Sequence, residues 1–217
     1  MIPGPNVEEP KGIRSIPDFM MAHQICPDYI HEIYEYQTEV ALENAKLFKQ
    51  ACGDKIQAII ISGTDFGTQN GPFMSLDSFR EFYKPYYKKI NDWVHENTNW
   101  KTFYHTCGAI TTFLQDFYEM GVDILNPVQL SAHGMDGKML KEKWGDKFTF
   151  WGGGVDTQKT LPFGTPQEVY DEVKERLKLF NKGGGFVFNT VHNIQGQTSA
   201  ENMLAMFQAI KDFNEGR

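Results

Sequence analysis

The chain has 217 residues, 41% of them hydrophobic, and at this length one domain can bury roughly 70% of the surface that the unfolded chain exposes. The formal net charge of −7, with no cluster of Lys and Arg, argues against nucleic acid or an anionic membrane surface as a partner. With no leader pattern, no apolar run of about 18 residues and only three cysteines, we expect a cytoplasmic protein without a membrane span or a disulfide framework.

The first 26 residues are expected to form an extended arm outside the folded body. Residues 1–18, MIPGPNVEEPKGIRSIPD, hold four of the ten prolines and show no periodic apolar pattern. We therefore expect a single folded domain over residues 27–217.

From Pro27 onward, the pattern alternates between helices and strands. Apolar residues recur at helical spacing as far as Gly53, where a Gly-Asp pair signals a turn. Residues 56–62, IQAIIIS, are apolar on both faces, which is typical of a strand covered on both sides in a parallel sheet. Ser75 caps the next predicted helix, and Pro85 is expected to kink it.

The same alternation continues towards the carboxyl end of the chain. Further strands are predicted at residues 100–105, 122–128, 147–153 and 184–190, and helices at 108–120 and 135–144. Thr165 to Glu168 form a capping box with proline at the first helical position, which opens another helix. Ser199 caps the last one.

Strict alternation of strand and helix predicts parallel strands joined by right-handed crossovers. Every predicted strand is followed by polar or glycine residues, and a (β/α)8 barrel gathers such strand ends around one mouth. We therefore predict an α/β fold of the TIM-barrel type rather than an open doubly wound sheet. The sequence accounts for about five of the eight βα units of such a barrel. The N-terminal strands are accordingly expected to be missing, as a portion that a longer relative would carry.

The segment FYHTCG, residues 103–108, ends the second predicted strand with a histidine and a cysteine. Residues two apart on a strand point to the same side, so His105 and Cys107 can address one point at the mouth. Imidazole and thiolate together suit zinc better than magnesium or calcium. A catalytic zinc takes three protein ligands, and His192, after the last strand, is the best third candidate. Alternatively, Cys107 is a small buried hydrophobe and His105 a hydrogen-bonded strand cap.

Other polar residues that follow predicted strands would face the same mouth. Asp65, in GTDFGTQ, is a candidate catalytic carboxylate or else a loop cap. His192 is also a candidate general acid, with or without a metal. The weaker candidates, which would bind substrate, are Asn126, Gln129, Asp156 and Asn189.

Two further patterns have simple alternative explanations. The glycine triplets at residues 152–154 and 183–185 offer backbone N–H groups that could cradle an anion, or they serve turn geometry. The remaining histidines lie in predicted helices or loops and are expected to be solvated; they are His23, His31, His95 and His133.

Five segments, taken in order, resemble one superfamily: GTDFGTQNGPF, FYHTCG, ILNPVQ, FWGGGVDTQKTLPFGTP and GGFVFNTVHNIQ. They are similar to the uroporphyrinogen decarboxylase superfamily, and more closely to its corrinoid-linked zinc methyltransferase branch. That branch includes the methylcobamide:coenzyme M methyltransferases and the methyltransferases of O-demethylation systems. The resemblance covers the chain from about residue 13 onward and corresponds to the later part of the barrel.

The resemblance implies a set of zinc ligands. In the methyltransferase branch an H-x-C pair, matched here by His105 and Cys107, supplies two of them, and a cysteine in the last strand-end loop supplies the third. This sequence has His192 in that loop, whereas the decarboxylases lack the H-x-C pair and also carry a histidine in the loop. An imidazole in place of a thiolate leaves zinc more electron-poor, which argues against a thiolate substrate such as coenzyme M.

The leading hypothesis is a zinc-dependent methyltransferase that moves a methyl group between a small methoxy- or methylamine-type substrate and a corrinoid (cobalamin) carried by a partner protein. His105, Cys107 and His192 would hold Zn²⁺, and Asp65 would orient the substrate or handle a proton. The alternative is metal-free decarboxylation of a tetrapyrrole carboxylate, with Asp65 and His192 binding the substrate. A second alternative is a non-catalytic binding or assembly subunit, whose barrel is completed by a homo-oligomer or a partner chain.

Overall fold

The computed structural model describes residues 1–2, 4–5 and 15–217. Contacts between these residues divide the chain into two compact units, residues 1–125 and residues 126–217. Within the described ranges, no helix has both the length and the apolar character that a bilayer crossing requires.

The first unit alternates helices with parallel strands. Its helices are α1 (Ile16–Ile25), α2 (Pro27–Cys52), α3 (Leu76–Phe82), α4 (Lys84–Asn97) and α5 (Leu114–Glu119), with 3-10 turns at Gly53–Lys55 and Thr111–Phe113. Its strands are β1 (Ala58–Gly63) and β2 (Lys101–His105), and β3 (Ile124–Asn126) falls at the boundary between the units. Because β1 and β2 pair in parallel, with Gly63 opposite His105, their carboxyl ends lie side by side.

The core of the first unit is built largely from aromatic side chains. Phe66, which follows β1, packs against Phe79 and Tyr83 of the helical layer and against Tyr104 of β2, at ring-centroid distances of 5.1–6.2 Å. All four side chains are fully buried. Burial of large rings supplies most of the apolar area here, so the loop after β1 is anchored to the core through Phe66.

The second unit has the same alternation. Its helices are α6 (Gly137–Trp144), α7 (Thr160–Phe163), α8 (Pro166–Phe180) and α9 (Ala200–Asn214), and its strands are β4 (Thr149–Trp151) and β5 (Phe186–Val187). β4 and β5 pair in parallel, with Phe150 opposite Phe186. The predicted α/β class is confirmed, and in the part of the chain that the structure describes the strands number five, as predicted.

The expectation of an extended arm over residues 1–26 is wrong for residues 16–25, which form α1. Ser15 caps this helix, since its side chain accepts a hydrogen bond from the Asp18 N–H, and a proline stands in the first turn, where its missing N–H costs nothing. Nearer the amino end, the Ile2 N–H donates to the Ile60 carbonyl, and the Ile2 side chain is fully buried. The rest of the predicted arm, residues 3 and 6–14, lies outside the described residues.

Helix α1 also corrects the expectation for His23. His23 is only 5% exposed, and its imidazole ring stacks on the ring of Tyr83 with centroids 5.7 Å apart. His23 stands between Ala22 and Gln24 on a short helix, and its ring partner Tyr83 lies 60 residues further along the chain, between α3 and α4. Local pattern therefore could not predict the burial.

Other predicted elements are confirmed with shorter bounds. The helix expected to kink at Pro85 divides into α3 and α4 around Tyr83, because the proline cannot donate the backbone hydrogen bond that would continue the helix. The helix predicted at residues 108–120 begins later, with a 3-10 turn, since Gly108 takes a φ of 89°. The later strands keep only their central residues, as their ends enter loops.

A buried carboxylate ties α5 to the helices before it. Asp116 has a side chain that is 0% exposed, and it accepts hydrogen bonds from Arg80 Nε at 2.9 Å and Lys84 Nζ at 2.7 Å. Burial alone would raise the pKa of Asp116, but these two cations outweigh it and hold the pKa below its ordinary value. These three residues therefore form a structural ionic cluster that links α5 to α3 and α4.

Candidate metal centre

Three potential ligands converge at the carboxyl ends of β1 and β2. A carboxylate oxygen of Asp65, an imidazole nitrogen of His105 and the sulfur of Cys107 all lie within 4.8 Å of one another. The Nε2 atom of His105 is 3.7 Å from Cys107 Sγ and 3.8 Å from Asp65 Oδ1. Among the described residues, this is the one group of three such side chains close enough to share an ion.

The register of the two strands produces this convergence. Gly63 is paired with His105. Two residues beyond each of these positions, Asp65 therefore lies beside Cys107. The Cys107 N–H donates to Asp65 Oδ1 at 2.7 Å, which fixes the carboxylate at the strand ends. The predicted alternation also holds, because His105 and Cys107 point to the same side and their side chains meet.

Two glycines allow the loops after the strands to touch. The backbone of Gly67 packs directly against the backbone of Gly108, and a Cβ atom on Gly67 would lie 2.7 Å from the Ala109 nitrogen. Gly108 has a φ of 89°, a conformation that side chains with a Cβ rarely adopt, and a Cβ there would overlap Gly67. The Ala109 N–H donates to the Thr68 carbonyl at 2.8 Å and closes the contact. Glycine is therefore required at both positions.

Phe66, the residue after Asp65, also restrains the position of Asp65. The Phe66 N–H donates to the hydroxyl of Thr106 at 2.8 Å, and both Phe66 and Thr106 are fully buried. Asp65 thus stands between a buried ring and a tight glycine contact. The segment GTDFG is explained by this geometry, and a loop so held is a rigid support for a ligand.

The donor set fits zinc. Nitrogen, sulfur and carboxylate oxygen are the three donor types that zinc takes in proteins, and catalytic zinc sites use three protein ligands with one position left open. The side chains of His105 and Asp65 are 37% and 28% exposed, so an ion and a small substrate can reach them from solution. The residues present can therefore hold the metal that the resemblance implies.

The structure places His192, the third ligand predicted from the sequence, in the loop after β5 of the second unit. Its side chain is exposed, with Nδ1 3.3 Å from the Asn193 carbonyl oxygen. Thr190 Oγ1 donates to the His192 carbonyl at 2.6 Å and shapes the loop. The roles of His192 as ligand and as general acid stay predictions.

The four residues predicted to bind substrate also lie in the second unit; Asn126 is the last residue of β3, and the other three lie in loops that follow strands. Asn126 Nδ2 donates to the Trp151 carbonyl at 2.8 Å, and Asn189 Oδ1 accepts from the Thr190 N–H at 2.9 Å. Asp156 Oδ1 accepts from the N–H groups of residues 158 and 159, which caps its loop. Gln129 is 7% exposed. Their contacts support the loops after the strands, and substrate binding by these residues stays a prediction.

The glycine triplets are accounted for by backbone geometry. The N–H groups of Gly152 and Gly154 donate to the carbonyls of Val187 and Asn189, so two of the three amides at 152–154 serve the sheet instead of an anion. A Cβ on Gly154 would overlap the Phe188 ring. All three glycines at 183–185 have positive φ, as a turn requires.

Comparison with known proteins finds similarities, each of which covers most of this chain. Residues 9–213 match the family model described as uroporphyrinogen decarboxylase (URO-D). A curated relative named uroporphyrinogen decarboxylase, from Ruthia magnifica subsp. Calyptogena magnifica, is 23% identical over 198 residues, which are 87% of this chain and 51% of the relative. A solved methyltransferase from Methanosarcina mazei superposes with a TM-score of 0.69 at 26% identity, covering 92% of this chain and 54% of that one. The chain thus spans about half the length of these relatives.

Proposed function

The chain belongs to the uroporphyrinogen decarboxylase family, and from this premise we propose that it acts as a zinc-dependent methyltransferase between a small methylated substrate and a corrinoid on a partner protein. The observation that carries the proposal is the meeting of His105 Nε2 and Cys107 Sγ at 3.7 Å, at the end of β2. The structural similarity to a methyltransferase supports the same reaction class.

In this proposal His105 and Cys107 hold the zinc ion, and His192 is the further ligand expected from the sequence. Bound zinc would act as a Lewis acid that stabilises the negative charge building on an oxygen or nitrogen leaving group. Such a group is a poor leaving group without this stabilisation. A substrate of methoxy or methylamine type is the class that most needs it.

In this proposal Asp65 and His192 also have roles other than metal binding. The Cys107 N–H holds Asp65 through Oδ1, so the carboxylate has a fixed position next to the pair and can orient the substrate or accept a proton. His192 carries the second predicted proton-transfer role. In this proposal the corrinoid is carried by a partner protein.

The name of the curated relative favours a second candidate, the decarboxylation of a tetrapyrrole carboxylate. In this reaction Asp65 and His192 would bind pyrrole nitrogens and carboxylates. His105 and Cys107 would then bind no metal. The two candidates differ in a property that is simple to measure, namely zinc content.

The test is the metal content of the purified full chain after incubation with zinc and removal of the excess. We expect about one zinc per chain, its loss in Cys107→Ala, and its retention in Cys52→Ala, a cysteine outside the centre. Methyl transfer is then followed as formation of methylcobalamin from reduced cobalamin with methoxy and methylamine substrates. Absence of zinc from the wild-type chain would favour the decarboxylase.

A further inference from the structure

We propose that Asp65 is itself a ligand of the metal ion, so that Asp65, His105 and Cys107 form a three-residue centre wholly within residues 1–125. The inference rests on the proposed function, since it concerns the ion that this function requires. It changes the role of Asp65 from a group beside the metal to a group bound to it, and the ligand set is complete without His192.

Two of the three distances are close to those between ligands that share an ion, and the third, between Asp65 and Cys107, is no more than 4.8 Å. Tetrahedral zinc, with bonds of about 2.0 Å to nitrogen or oxygen and about 2.3 Å to sulfur, sets its ligand atoms about 3.3–3.6 Å apart. From His105 Nε2, the distances are 3.7 Å to Cys107 Sγ and 3.8 Å to Asp65 Oδ1. A contraction of a few tenths of an ångström, within reach of side-chain rotation, brings both to the required separation.

The contact between Asp65 and His105 has no adequate explanation as a hydrogen bond. A hydrogen bond between nitrogen and oxygen spans about 2.7–3.2 Å, and the Nε2 to Oδ1 distance of 3.8 Å exceeds it. A carboxylate whose task was to orient the imidazole would lie closer. The two groups are instead held side by side, as two ligands of one ion are.

The hydrogen bond that Asp65 does make leaves it able to coordinate. The Cys107 N–H occupies one acceptor site on Oδ1, whereas an ionised carboxylate offers about four such sites on its two oxygens. The bond fixes the orientation of the carboxylate, as outer contacts of metal ligands commonly do. Asp65 is thus restrained by the backbone of a second ligand, Cys107, while its remaining lone pairs stay available.

Charge balance favours the same set. Ionised Asp65 and Cys107 together carry two negative charges, which neutralise a divalent cation within its own ligand shell. A set of His105, Cys107 and His192 would leave one positive charge uncompensated in a partly buried site, and an uncompensated charge is costly to desolvate.

The test is zinc affinity of the full chain, measured by competition with a chromophoric chelator. Asp65→Asn keeps an oxygen that can accept the Cys107 N–H, so it preserves the position of the loop and removes only the carboxylate. Outer contacts of a metal site cost about 10–100-fold in affinity, and we expect a loss above about 100-fold for a ligand. Asp77→Asn, in the first turn of α3, is the matched control and should bind zinc as the wild type does.

The second readout is the visible spectrum of the chain loaded with an excess of Co²⁺ in place of zinc. We expect Asp65→Asn to keep the thiolate charge-transfer band from Cys107 and to change the ligand-field bands, because one oxygen ligand is lost. Unchanged ligand-field bands with a zinc affinity within about 100-fold of wild type would show that Asp65 only positions the loop and would overturn this inference. If the wild-type chain binds no zinc, or Cys107→Ala binds it equally well, the proposed function fails as well.

Discussion

A buried hydrogen-bond chain predicts how the stability of the protein depends on pH. His23 Nδ1 is 2.8 Å from the Phe19 carbonyl, which can only accept, so the imidazole proton lies on Nδ1. Tyr83 therefore donates its hydroxyl proton to His23 Nε2 at 3.1 Å, and Tyr34 donates to the Tyr83 oxygen at 2.9 Å. Every donor in this series of hydrogen bonds has an acceptor as long as His23 is neutral.

Protonation of His23 would break this arrangement. A proton on Nε2 would point at the Tyr83 hydroxyl proton, and burial, which raises the pKa of Tyr83, keeps that proton in place. Burial, and to a lesser degree the neighbouring His31, hold the pKa of His23 below its ordinary value of 6.5, against the opposing effects of the Phe19 hydrogen bond and Glu81. The folded state thus binds this proton less readily than the unfolded chain does.

The sign and size of the effect follow from this difference. Because the pKa is lowered on folding, the contribution of His23 to the free energy of unfolding is fully present above pH 6.5 and is lost as the pH falls towards the folded-state pKa. The loss approaches about 1.4 kcal/mol per pH unit for one proton. Between about pH 7.5 and about pH 5.5 we expect it to reach at most about 1.4 kcal/mol.

The assay is urea unfolding of the wild type and of His23→Gln at these two pH values. The difference in unfolding free energy between the two proteins should shrink at the lower pH, since only the wild type loses the histidine contribution. His133→Gln, which changes an exposed histidine, is the matched control for the loss of an imidazole. A wild-type minus His23→Gln difference that stays constant from neutral to acid pH would refute the reasoning.

Three further predictions concern the first unit and the metal proposed for it. Asp116→Asn leaves two cations without their buried partner and should lower the free energy of unfolding by about 2–3 kcal/mol in urea titrations, whereas exposed Glu119→Gln should cost much less; equal losses would contradict the role of burial. Gly108→Ala should lower the thermal midpoint and weaken zinc binding, because its Cβ has no room, whereas Gly53→Ala, which also has a positive φ but has open space around it, should show the effect of backbone strain alone and leave zinc binding intact. A chelator should lower the thermal midpoint of the zinc-loaded wild type but not that of Cys107→Ala, since an ion bound only to the folded state stabilises it; the same shift in both would count against the metal centre.

Elements with local signals could be predicted from the sequence. The capping box is present, with the Thr165 side chain accepting from the Glu168 N–H and the Glu168 carboxylate accepting from the Thr165 N–H. The break at Pro85 and the cap at Ser199 follow for the same reason. Each of these depends on groups within about one helical turn, where sequence distance and spatial distance agree.

The pairing of His105 with Cys107 was predictable because alternation along a strand is also local. The place of Asp65 in the same centre was not, since it depends on the register that sets Gly63 opposite His105 and on the backbone contact of Gly67 with Gly108. Nothing within one strand specifies the register of its neighbour. The sequence suggested Asp65 as a site residue only from its place after a strand.

By itself, then, the sequence determined the helix starts after Thr165 and Ser199, the α/β alternation and the common side of His105 and Cys107, because short-range backbone geometry dictates them. Tertiary structure decided that Asp65 stands beside Cys107, that His23 is buried against Tyr83, and that Phe19 and Ala22 of α1 are buried. These outcomes depend on residues tens of positions apart meeting in space. Such meetings are set by packing and strand register, which act only once the chain has folded.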